Sequence, residues 1–192
     1  MLSDTTHLVS EPVSRAADWQ QGVSYETFLP TAADNVDLWH GIYERFAGPA
    51  DLAARAAAVP GTWHLLVLSA DWCGDASNTV RVLALLAGAA PNLDLRVLDR
   101  DEHLGLMDAH LTGTSRSIPA VILLDSAFVE RGWWGPRPAD LQRWVLTEGK
   151  TFEDHDERYR EVRKWYARDH GRTTIEEVVA LLETVTGDTS VV

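Results

Sequence analysis

Residues 63–99 constrain the fold more tightly than any other stretch of the chain. The run WHLLVLS at Trp63–Ser69 is short, apolar and bounded by turn signals, the signature of a strand buried on both faces. Val80, Val82, Leu83, Leu85 and Leu86 then predict a buried helix from Asp75 to Ala87, closed by Gly88 and Pro91. LDLRVLD at Leu93–Asp99 follows as a second strand with alternating polarity. A strand, a crossover helix and a second strand form a right-handed parallel unit, which places the chain in the α/β class.

After a short helix predicted near Glu102 to Leu111, Pro119 opens the strand PAVILLD, and a tight turn leads into FVERGWW as its antiparallel partner. Pro138 starts a helix through Leu146. The expected sheet is four-stranded and mixed, its strands in the spatial order second, first, third, fourth, with helices flanking it and extending it at both ends. Upstream, Val36, Leu38, Trp39, Ile42, Tyr43 and Phe46 predict a helix over Asp34–Ala47, and Asp51–Val59 is alanine-rich and helical. Downstream, Tyr159, Val162, Trp165 and Tyr166 share one helix face. A last helix is predicted to start at the capping box Thr174-x-x-Glu177, and GDTSVV reads as a frayed tail. The 192 residues suit one structural domain, divided into a helical extension (1–61), a core (62–150) and closing helices packed on that core (151–192).

A formal charge of −12 argues against nucleic acid and anionic membranes as partners. The single cysteine rules out an intrachain disulfide and a cysteine-cluster zinc site, and it suits a reducing cytosol. No basic and apolar leader opens the sequence, and no apolar run approaches the roughly 18 residues of a membrane span, so the expected location is cytoplasmic. The seven histidines show no metal-ligand spacing, and there is no phosphate-binding glycine loop or serine elbow. The eight tryptophans are expected mainly in core and rim packing.

Chemistry concentrates where the first core strand meets its helix, at Asp71-Trp72-Cys73-Gly74-Asp75-Ala76. Free N–H groups at a helix start favour thiolate over thiol, so Cys73 is placed to be nucleophilic; an inert, packed thiol is the alternative. Asp75 has two readings, stabilising the helix start or acting directly beside the thiol.

Trp-Cys-Gly at this junction, together with Ile118-Pro119 before the third strand, resembles the thioredoxin family over about Thr62 to Glu148. DWCGDA, RSIPA and WGPRP are similar to a bacterial thioredoxin-like subgroup with a Trp-Cys-Gly-Asp loop. The resemblance implies a cis Pro119 against the sulfur of Cys73, with the backbone of Ile118 open to an extended peptide or glutathione. It also implies Arg116 as a cationic neighbour, and Trp134 and Gly135 beside the site. Two departures stand out: Ala76 occupies the place of the second cysteine, and Val67 that of the buried aspartate.

Three functions compete on this reading. One is single-cysteine thiol-disulfide exchange through a mixed disulfide at Cys73, released by glutathione or another small thiol. The second is a thioredoxin-fold docking module or redox sensor. The third and weakest is iron–sulfur ligation shared with an external thiol. No metal site or resident cofactor is expected; the partners are protein or small-molecule thiols and disulfides, and the oligomeric state stays open. The thiol of Cys73 is expected to have a moderately depressed pKa.

Overall fold

The structure is a computed structural model and describes residues 2–34, 36–41 and 49–187. In chain order its elements are β1 (Thr6–Leu8), α1 (Ala16–Gln21), α2 (Tyr25–Phe28), α3 (Val36–Gly41), α4 (Ala50–Ala58), β2 (Trp63–Ser69), α5 (Gly74–Ala89) and β3 (Leu93–Asp99). There follow α6 (Leu104–Asp108), β4 (Ala120–Leu124), β5 (Glu130–Trp134), α7 (Ala139–Leu146), α8 (His155–Asp169) and α9 (Arg172–Gly187). Ile42, Tyr43 and Phe46 of the predicted upstream helix, and the tail beyond Gly187, lie outside the described residues.

Every residue of β2 is buried, as its unbroken apolar run requires. It pairs parallel with β3 and antiparallel with β4, and β4 pairs antiparallel with β5. These four strands stand in the expected order. Among the described residues the sheet nevertheless has five strands, ordered β1-β5-β4-β2-β3, which corrects the expected count and adds a strand to the segment read as a helical extension. Thr6–Leu8 pairs antiparallel with Gly132–Trp134 and covers an edge that would otherwise expose unpaired backbone groups. Gly132 makes this possible, since a Cβ there would stand 2.7 Å from the His7 carbonyl oxygen.

The main core draws on β2 to β5, α4, α5 and α9, with Trp19, Tyr25, Phe28 and Trp39 added from the first 61 residues. His64 is a packing residue, edge-on to Trp19 with ring centroids 4.7 Å apart. A buried charge cluster also ties the N-terminal segment to β5. Glu130 takes a 2.7 Å hydrogen bond from Arg15 and lies 2.8 Å from Nε2 of His110. Burial pushes its carboxyl pKa up, but His110 and Arg15 outweigh that and hold it below the usual value.

The C-terminal helices divide their roles. Helix α9 joins the main core, whereas Val162 and Tyr166 of α8 form a separate cluster with Leu141 and Val145 of α7. The expected capping box is absent. Helix α9 starts at Arg172, its Thr173 N–H donates to Asp169, and Thr174 is buried inside the helix. Glu177 instead reaches across the fold, accepting hydrogen bonds from the indole N–H of Trp134 (2.7 Å), the hydroxyl of Thr5 (2.9 Å) and the N–H of Ala139 that opens α7 (2.9 Å). Glu177→Ala should therefore lower unfolding free energy by about 2–4 kcal/mol, because it strands several enclosed donors. A loss below about 1 kcal/mol in chemical denaturation would show these bonds to be dispensable.

No helix among the described residues is long and apolar enough to cross a membrane.

Candidate functional site

Cys73 is the N-cap of α5, reached through a turn in which its N–H donates to the Ala70 carbonyl. Its sulfur accepts from the Ala76 N–H (3.5 Å) and donates to the Ile118 carbonyl (3.4 Å). The Ile118–Pro119 bond is cis, and both residues are buried. Cys73 is only 8% exposed, and donation to a carbonyl is a bond that only the protonated thiol can make. Burial, followed by the charge of Asp75, pushes its pKa up to about 11. The N–H groups of Ala76 and Asp75 and the more distant Arg137 act in the opposite direction and lose. The expected depression is thus reversed, because desolvation in an enclosed site exceeds what a helix start supplies.

Asp75 is 4% exposed. It lies in the first turn of α5, and its carboxylate is held from two sides, by Arg137 at 2.5 Å and by the Tyr166 hydroxyl at 3.0 Å. Arg137 arrives from the β5–α7 connection, just after the cis Gly135–Pro136 bond, and also donates to Gln142 at 3.0 Å. Tyr166 comes from α8, and burial together with the charge of Asp75 pushes its phenol pKa well up. Neither residue was singled out by sequence reasoning. Arg137 was visible within the motif WGPRP, whereas nothing in the apolar stripe of α8 marked Tyr166 as polar in role.

The remaining expected residues divide between the site and its supports. Trp72 is 46% exposed, with the guanidinium of Arg100 over its ring at 4.7 Å. Gly74 has open space where a Cβ would stand. The Asp71 carboxylate accepts from the N–H groups of Ala33 and Asp34, which hold its pKa below the usual range, and its carbonyl accepts from the indole of buried Trp39 in α3. The N-terminal region therefore braces the loop. Ala76 is fully buried in the first turn of α5, and Val67 is fully buried in β2. Gly135 has φ +149, and a Cβ there would overlap the Pro119 carbonyl, so only glycine fits beside the cis-proline.

Two of the expected neighbours lie elsewhere. Arg116 forms a bidentate pair with Asp108 at the surface (2.6 and 2.8 Å), and the cation acting on the thiol is Arg137. Trp134 is fully buried and bonded to Glu177, which makes it a core residue. Among the described residues, no three His, Cys, Asp or Glu side chains are grouped to hold a metal ion.

The family described as thioredoxin matches residues 22–168. Among solved structures, an HIV epitope-scaffold superposes with a TM-score of 0.68 at 18% identity, covering 90% of this chain and 99% of its own. A protein of unknown function from Pseudomonas aeruginosa gives a TM-score of 0.69 at 22% identity, covering 90% and 98%. At these identities the likeness is one of fold alone. No curated protein matches the chain.

Proposed function

The chain belongs to the thioredoxin family, and on that premise we propose that it is a docking module, holding an extended peptide at the surface marked by the exposed Trp72, beside the cis-Pro119 turn, while Cys73 rests as a thiol. The observation that carries this reading is the enclosed sulfur of the chain's single cysteine, donating to Ile118 next to a buried carboxylate. A thiol so held supplies little thiolate at neutral pH, and with alanine at position 76 no neighbour can release a mixed disulfide. The exposed indole of Trp72 and the open space above Gly74 offer a surface for contact. A reducing cytosolic setting would keep the thiol reduced.

One feature favours a second reading, monothiol exchange: the sulfur still sits at a helix start against a cis-proline. In that reaction Cys73 would attack a disulfide, expel one sulfur as a thiol and be released by glutathione or another small thiol.

Titration of the thiolate ultraviolet absorbance separates the two. The expected pKa is about 11, with mixed-disulfide formation from oxidised glutathione at neutral pH slower than for a free cysteine peptide. A pKa at or below that of free cysteine, with a rapidly formed adduct that added thiol releases, would establish exchange instead.

A further inference from the structure

Helix α8 holds to the rest of the fold by little apolar surface. Of its 15 residues, Val162 and Tyr166 are the buried ones, and they pack with Leu141 and Val145 of α7 in a cluster apart from the main core. A helix of this length with so small an apolar footprint belongs to the low-stability end of a fold, where segments open without global unfolding. Both of its ends are joints. A single 3₁₀ turn, Glu148–Thr151, separates it from α7, and His170 and Gly171, both with positive φ, reverse the chain into α9. Helix α7 is anchored independently, since Glu177 of α9 holds its first N–H, that of Ala139, at 2.9 Å.

The same helix closes the thiol site. The Tyr166 hydroxyl donates to one carboxylate oxygen of Asp75 at 3.0 Å, and Arg137 pairs with the other oxygen from the connection that precedes α7. Asp75 stands two residues after Cys73, and Tyr166, 1% exposed, is near enough to the sulfur for a thiolate charge to act on its phenol. When α8 swings out, Arg137 stays behind and no uncompensated charge is left at Asp75. Opening then costs a hydrogen bond and a small apolar contact, not a buried ion. Water admitted where the Tyr166 ring stood removes part of the burial that keeps Cys73 a thiol.

We infer that α8 is a latch over Cys73, and that its detachment, with α7 and the sheet intact, is the step that opens the buried thiol to solvent and small reagents. The inference concerns regulation of the site already described, and it rests on the docking reading in taking the enclosed thiol as the resting state. Reactivity of Cys73 is then set by the equilibrium of α8. A partner that captures the detached helix raises it, and one that seats the helix lowers it.

Because the full chain has one cysteine, labelling with dithiodipyridine reports Cys73 alone: the thiolate attacks the reagent's disulfide, forms a mixed disulfide and expels thiopyridone. The rate is measured at fixed pH against urea, well below the unfolding transition. Opening of α8 gives a logarithmic slope above zero and clearly below that of global unfolding, since only part of the surface is exposed. Tyr166→Phe, which removes the bond to Asp75, should speed labelling about tenfold, and Val162→Ala, which loosens the cluster with α7, about fivefold. Leu52→Val weakens the main core from α4, which packs towards the far end of α5, and should leave the rate unchanged. The latch is overturned by a zero slope, in which the reagent enters through local fluctuation, or by a slope equal to the global one. It is also overturned if Leu52→Val speeds labelling in step with its loss of stability, or if Tyr166→Phe or Val162→Ala leaves the rate unchanged. A low thiol pKa with these rates as expected discards the docking reading and keeps the latch; a high pKa with a zero slope does the reverse.

Discussion

Arg137→Met is expected to lower the unfolding free energy by about 3–5 kcal/mol, the largest single-residue effect near the site. The Arg137 side chain is 18% exposed and that of Asp75 5%, so the pair is largely shielded from solvent. Methionine keeps most of the apolar stem, and what disappears is the charge opposite Asp75. That carboxylate would then remain enclosed with the Tyr166 hydroxyl as its remaining side-chain partner among the described residues. Asp75→Asn alone should cost a comparable amount by stranding Arg137. The double variant Asp75→Asn with Arg137→Met should recover a large part of either loss, because no uncompensated charge is left behind. Urea denaturation of the four proteins measures this directly. Additive losses in the double variant, or a loss below about 1 kcal/mol for Arg137→Met, would show the pair to be screened by water and unimportant to the fold.

The same cluster shows where sequence reasoning reaches its limit. The parallel unit was readable because β2 and β3 differ in pattern, one a largely apolar run buried throughout and the other alternating, and the helix between them is apolar over much of its girth. Cys73 and Pro119 were readable because their neighbours in sequence set their addresses. Strand β1 was not, since Thr6-His7-Leu8 has no pattern of its own and exists through pairing with residues more than a hundred positions away. The expectation for Arg116 fails for a similar reason. Arg116 is near Pro119 in sequence but turns to Asp108, whereas the path of the chain after β5 carries Arg137 to Asp75. Tyr166 shared an apolar stripe, and its hydroxyl found a polar partner 91 residues away. The sign of the thiol shift depended on burial, which a strand-to-helix junction does not reveal by itself.

That sign has a consequence for stability at alkaline pH. The thiol of Cys73 ionises at about 11 in the folded chain, against an ordinary value of 9.0. Below pH 9 it is protonated in both states, and its contribution to stability is fully present. Between 9 and 11 the unfolded chain releases the proton and the folded chain retains it, so stability falls as pH rises, by about 1.4 kcal/mol per unit at the steepest. The accumulated loss is about 2–3 kcal/mol by pH 11. Tyr166, whose phenol is likewise pushed up, adds a slope of the same sign; burial and Asp75 supply most of that shift and the Cys73 charge the least, so most of the slope is common to the wild type and Cys73→Ser and drops out of their difference. Wild type minus Cys73→Ser should therefore be flat below pH 9 and decline by about 2–3 kcal/mol towards pH 11 in denaturant titrations. A nucleophilic thiol with a depressed pKa would give the opposite result, with stability gained as pH rises through the interval between the folded and unfolded values. A flat difference up to pH 11 would mean that water reaches Cys73 and that its burial does not govern its chemistry.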